Sequence, residues 1–278
     1  MRFDWSKMGR MSPGALVDAR VLAHHAVQWA GRAARANLKA APDDSHSSLT
    51  WDAAHGSLLC LPLPARGGDI RVGLRVGRLE LIVTRGANVL DAFQFDGKSD
   101  AAAGAWADAK LVGLGLKPAS SVVLPYALPA HPLGGAPHDL SMLGRELGEL
   151  SRWFAGSAEV LEEFRSRRGA LNAGPVRCWP HHFDIATLVS LAQGPDSPSV
   201  GVGVSPGDEY YPQPYVYVSP SARFEGSPTP PRPGHWHSDG FFGIVATGEE
   251  ILALKDRGRD LLAFAVAAFD LCRARLGV

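Results

Sequence analysis

Two short segments carry the side chains best suited to chemistry, His181-His182-Phe183-Asp184 and His235-Trp236-His237-Ser238-Asp239. Residues at i and i+2 of an extended chain project to the same side. His182 with Asp184, and His235 with His237, could therefore each present two ligands together. Two histidines with a carboxylate suit zinc or ferrous iron. His182, Asp184, His235 and His237 are thus the candidate metal ligands, with a divalent metal (Zn or Fe) as candidate cofactor of a hydrolase-type site. The plainer reading is that His and Asp beside Pro and Gly bond the local backbone and close turns.

Ser205-Pro206-Gly207-Asp208-Glu209 reads as a turn, in which proline fixes one φ, glycine permits a positive φ and aspartate bonds nearby backbone. A carboxylate there could also act as a general base, which makes Asp184, His182 and Asp208 the catalytic candidates. Tyr210, Tyr211, Tyr215 and Tyr217, with Pro212 and Pro214, could line a groove for a ring or a peptide. Tyr215 and Tyr217 could equally be one face of a strand. Arg165, Arg167 and Arg168 suit the negative end of a helix dipole and could also clamp a carboxylate. Tyr210, Tyr215, Trp236 and Arg167 are the ligand-binding candidates. Gly113-Leu114-Gly115 and Gly201-Val202-Gly203 are too short for dinucleotide fingerprints.

Helices and strands must position these groups. Leu16 to Leu38 has helical apolar spacing, with Asp18, His25, Gln28, Arg32 and Arg35 on the other face. Leu58–Leu63, Ile70–Val76, Leu79–Val83 and Val89–Phe95 have strand character, with Gly77-Arg78 as a hairpin turn. Ser99 could cap a helix to about Leu114. Lys117 to Asp139, rich in Pro and Gly, reads as a linker or crossing loop. Asp139 then caps a long helix that Gly156-Ser157 could break. Ser219 to Gly234 should be irregular, Phe241 to Val245 a last strand, and Thr247 with Glu250 a capping box opening a helical tail.

Composition excludes several classes. Twenty-eight basic residues balance 28 acidic ones, so no global field favours nucleic acid or an anionic membrane. A 46% apolar, 20% charged chain without a long apolar run is expected to be globular and cytoplasmic. Cys60, Cys178 and Cys272 lie far apart among apolar neighbours and read as reduced core thiols.

Glu163-Phe164-Arg165-Ser166-Arg167, Pro175-Val176, Trp179 through Ala186, and Ser205-Pro206-Gly207-Asp208 together resemble a family of uncharacterised bacterial proteins. That family has a W-P-E-H-F-D-L-A segment, a strand, an S-P-G-D turn and P-E-P-Y-L-Y-V, which Pro212 to Val218 is similar to. The resemblance implies a bacterial domain and supplies no activity. The chain departs from it at His181 and Gln213, each where glutamate is the family residue, and so loses two carboxylates.

The expectation is an α+β protein with two antiparallel sheet units and packed helices. Its boundaries are residues 1–116, a linker at 117–139 and residues 140–278. A slide placing Trp51 on Trp179, Leu63 on Leu191 and Val72-Gly73 on Val200-Gly201 raises an internal duplication. The functional expectation is small-molecule binding with a metal-assisted hydrolase-type site. The alternative is a non-catalytic interaction module using the Tyr/Pro groove. Polar groups converging at one place would favour the first, and an exposed aromatic strip the second.

Overall fold

The structure is a computed structural model describing residues 3–168, 171, 173–194, 197–226 and 228–277. It is α+β, and the chain divides into two compact units that differ from the sequence boundaries. The first holds Leu16–Ser151 and Cys178–Phe183; the second holds Met1–Ala15, Arg152–Arg177 and Asp184–Val278. Residues 117–139 are therefore part of the first unit rather than a linker between units.

In the first unit, α1 (Val17–Asn37) buries Ala19, Leu22, Ala23, Ala26, Val27 and Ala30. It lies on an antiparallel meander of β1 (Leu49–Asp52), β2 (Ser57–Cys60), β3 (Arg71–Arg75), β4 (Glu80–Arg85) and β5 (Asn88–Gln94). The small alanines let the helix backbone approach the sheet, and Leu58, Leu74 and Leu81 fill the space between. β3 and β4 form a hairpin across Gly77-Arg78, closed by a 3-10 turn at Val76–Arg78 with the positive φ carried by Leu79 at 44° rather than by the glycine. Ser99 caps α2 (Asp100–Gly113) through Ala102 N–H, as its residue type suggests.

Helix α3 (Gly144–Arg167) starts later than expected, because Asp139 bonds the Ser141 amide in a turn of its own. Gly156 does not break α3. A Cβ there would lie 3.0 Å or less from Met8, Phe3 and Trp5, so the glycine makes room for the N-terminal segment in the second unit. After β6 (Arg177–Trp179), whose Cys178 pairs with Leu49 of β1, the second unit resumes.

The second unit's strands are β7 (Asp184–Ser190), β8 (Ser199–Ser205), β9 (Tyr215–Pro220), β10 (His235–His237) and β11 (Gly243–Thr247). Their spatial order is β7-β8-β9-β11-β10, all antiparallel. The Thr247–Glu250 capping box is present but opens only the short α4 (Gly248–Leu252). Asp256 caps a separate α5 (Arg257–Arg275), so the tail is two helices. Residues alternate faces along these strands, and Val202, Val218 and Ile244 share the face on which Phe264 of α5 meets Ile244 and Gly234. Phe164 of α3 meets Phe269 of α5 edge-on at 5.4 Å. A buried aromatic pair of this kind contributes about 0.5–1.5 kcal/mol beyond its area.

In the two stretches that the slide compares, 16–95 and 140–218, a helix is followed by strands in chain order. The first unit's strands follow chain order, whereas β10 and β11 are exchanged in the second. The covering helix precedes the meander in the first unit and follows it in the second, where α5 packs on β8 and β9. All three cysteines are buried, and burial pushes the Cys60 and Cys272 thiols up to about 12. No described helix is long and apolar enough to cross a membrane.

Candidate functional site

Strand register in the second unit brings the polar residues together. Directly opposed residues share a face, and the pairings Ala186–Gly203, Gly203–Tyr217, Tyr217–Val245 and Val245–His235 draw one row across the sheet. Asp184, Ser205, Tyr215 and His237 stand two residues from members of that row and face the same way. This is the face opposite Phe264.

Gly203 is the reason Tyr217 can lie flat on this face. A Cβ at Gly203 would sit 2.4 Å from the Tyr217 Cζ and hydroxyl oxygen. The Tyr217 hydroxyl donates to Asp184 Oδ2, and burial followed by the Asp184 charge holds the phenol well above its ordinary value. Tyr215 donates to Asp208 Oδ2 at 2.5 Å. Asp208 Oδ1 accepts the amides of Tyr210 (2.9 Å) and Tyr211 (3.2 Å). Gly207, at φ 112°, turns the chain just before Asp208. Three accepted bonds and turn chemistry account for Asp208 as the turn residue that the plainer sequence reading expected.

The outer end of the face is a directional hydrogen-bond chain. His237 Nε2 lies 2.5 Å from the Asp239 carbonyl, which can only accept, so Nε2 carries the proton. In a neutral ring Nδ1 then accepts, and it receives the Tyr211 hydroxyl at 3.0 Å. The Tyr211 oxygen in turn accepts Nε2–H of His235, also at 3.0 Å. His235 Nδ1 remains, 4.0 Å from Glu250 Oε2 and beyond hydrogen-bond reach. The His235 side chain is 44% exposed. Phe241 stacks on the His237 ring at 4.1 Å, and Tyr210 flanks both rings. This arrangement offers one open basic nitrogen, a fixed hydroxyl and a flat aromatic wall.

Other predicted residues lie elsewhere. His182 is exposed on a turn of the first unit, closed by Phe183 N–H to Trp179 O at 2.7 Å, with Phe183 at φ 58°. That left-handed residue cancels the i, i+2 alternation assumed for His182 and Asp184. Phe183 itself stacks on His24, and Gln28 of α1 donates to Pro180 O at 2.7 Å. Gln28 is therefore buried, against the expectation of a surface face, and accepts the Tyr126 hydroxyl at 2.8 Å. Burial lowers both His24 and His181 to about 4.

Trp236 alternates to the opposite face from His235 and His237, donating to Pro228 O at 2.7 Å and stacking on Phe242. Arg167 pairs with Glu163 on the surface of α3. Arg167 also lines a 560 Å³ groove together with Arg259, Glu159, Glu162 and Glu163. His182, Asp184, His235 and His237 form no ion-sized ligand group among the described residues.

Sequence reasoning missed Tyr211, Phe241 and Glu250 as partners of the histidines. It also missed Asp100, His131 and His138, whose ligand atoms lie within 4.8 Å of one another in the first unit. Those three are distant in sequence and carry no spacing signal. No protein-family model, curated protein or solved structure matches the chain.

Proposed function

We propose that the chain binds a small polar, ring-bearing molecule against Tyr211, His235, His237 and Phe241, with His235 Nδ1 as the proton-accepting atom. The observation that carries this reading is the ordered chain from His235 through Tyr211 to His237 and the Asp239 carbonyl. Such a chain fixes both imidazole tautomers, leaving a lone pair at His235 Nδ1 with Glu250 placed to stabilise the imidazolium formed on proton uptake. Pro212 to Val218 and Ser205 to Asp208, which carry the family resemblance, supply Tyr215, Tyr217 and Asp208 beneath this wall.

The interaction-module reading needs an exposed aromatic strip. Of the four tyrosines in the segment only Tyr210, at 37%, is substantially exposed, while Tyr215 is buried at 4%. That distribution favours a small ligand over a peptide.

The test is histidine and tyrosine ring chemical-shift mapping with a fragment panel of hydroxylated and heteroaromatic rings. Fragments that bind should perturb His235, His237 and Tyr211 together. Tyr211→Phe, which removes one hydroxyl and keeps the ring, should weaken their binding about tenfold. Perturbations confined to other residues, with binding unchanged in Tyr211→Phe, would overturn the reading.

A further inference from the structure

The first unit gathers a second polar cluster that the proposed ligand site does not use. Asp100 is the first residue of α2, fixed by the Ser99 cap. His138 is strapped beside it by a parallel bridge to Asp96, with Gly97 N–H to His138 O at 2.8 Å and His138 N–H to Lys98 O at 3.0 Å. His131 lies on a local turn whose Gly134 amide bonds the His131 carbonyl at 3.3 Å. His25 of α1 lies against the His131 ring at 4.4 Å and is held through Nε2 to Pro129 O.

Both imidazoles aim Nε2 at one carboxylate oxygen. Asp100 Oδ2 is 2.8 Å from His131 Nε2 and 3.2 Å from His138 Nε2. Ligands bonded to one zinc-sized ion at about 2.0–2.2 Å stand roughly 2.8–3.5 Å apart, so these separations match neighbouring corners of a coordination shell. The side chains are 25%, 18% and 0% exposed for Asp100, His131 and His138, so two ligands remain reachable while one is enclosed. The His131 Nε2 atom is buried and has no hydrogen bond of acceptable geometry, although the carboxylate is within ion-pair distance.

We infer that Asp100, His131 and His138 form a binding site for a divalent first-row transition metal such as Zn²⁺, with three protein ligands and an open position. Ligation through His131 Nε2 dictates one local change. His131 Nδ1 now accepts the Leu133 amide at 3.1 Å, which puts the proton on Nε2. Ligation through Nε2 moves that proton to Nδ1, so the Leu133 N–H must turn away when the ion enters. The proton released by the incoming ion goes to solvent when the starting ring is protonated, and the neutral ring only exchanges tautomers. Leu133 is thus a reporter of loading at a distance from the ion.

The experiment uses the full chain, stripped with chelator and titrated with Co²⁺ and Zn²⁺ alone. One equivalent should bind, Co²⁺ should give a visible ligand-field absorption, and the Leu133 amide resonance should move. His131→Ala and Asp100→Asn should each weaken binding by at least about tenfold. His237→Ala, in the other cluster, should leave it unchanged. If His131→Ala or Asp100→Asn fails to fold, the wild-type spectrum and Leu133 shift still decide. Absence of stoichiometric binding by the wild-type chain would overturn the inference. So would binding unaffected by both variants, or loss of binding in His237→Ala alone.

Discussion

Asp184→Ala is expected to reduce folding free energy by about 1–3 kcal/mol. Asp184 is 8% exposed at the start of β7, and it accepts the hydroxyl of Tyr217 from β9 two strands away. Removing the carboxylate leaves a phenol hydroxyl without its acceptor on a face where burial limits compensation by water. Tyr217→Phe is expected to be costly for the complementary reason, since it leaves a buried carboxylate one donor short. Combining the two changes should therefore cost less than their sum, because neither orphan remains. Urea unfolding of the two single variants and the double variant, followed by tryptophan fluorescence, measures this. An Asp184→Ala change within about 0.5 kcal/mol of wild type would show that the pair carries no stability. With the predicted loss, Asp184 belongs to the scaffold that holds the tyrosine face and not to proton transfer.

Gly203→Ala is expected to be comparably severe, about 1–3 kcal/mol, although only one methyl group is added. The new Cβ would meet the Tyr217 ring at 2.4 Å, so the ring must swing off the sheet and abandon Asp184. Its neighbour is the natural control. A Cβ at Gly201 has nothing nearer than Ser219 O at 3.8 Å, so Gly201→Ala should be close to neutral. The same unfolding measurement on the two variants separates a steric from a propensity effect. Equal losses at both positions would remove the special role given to Gly203.

Much of the scaffold could be read in the sequence because it rests on local chemistry. The alanine and leucine spacing of Leu16 to Leu38, the Ser99 cap and the Thr247–Glu250 box are each settled within a few residues, and each is present. The same-side placement of His235 and His237 follows from strand alternation alone and is present as well. What alternation could not supply was the left-handed Phe183, a bulky residue with no glycine-like signal, which separates His182 from Asp184. Nor could it supply the exchange of β10 and β11, which brings Tyr217 opposite Val245 and so aligns His235 with the tyrosines. The glycines of β8 were visible as a Gly-Val-Gly run, but their meaning depended on which residue lay across the sheet. Asp100, His131 and His138 meet only because an irregular loop returns to the start of α2, a closure that no periodicity encodes.

The central claim is that a directed hydrogen-bond chain leaves His235 Nδ1 as the open base of a ligand site. Long-range ¹H–¹⁵N spectra of the histidine rings, recorded above the histidine titration range, test it most directly. His235 and His237 are expected to be both protonated on Nε2, with the Nδ1 resonance of His237 shifted by an accepted bond that disappears in Tyr211→Phe. A His237 ring protonated on Nδ1, or a His237 spectrum indifferent to Tyr211→Phe, would contradict it.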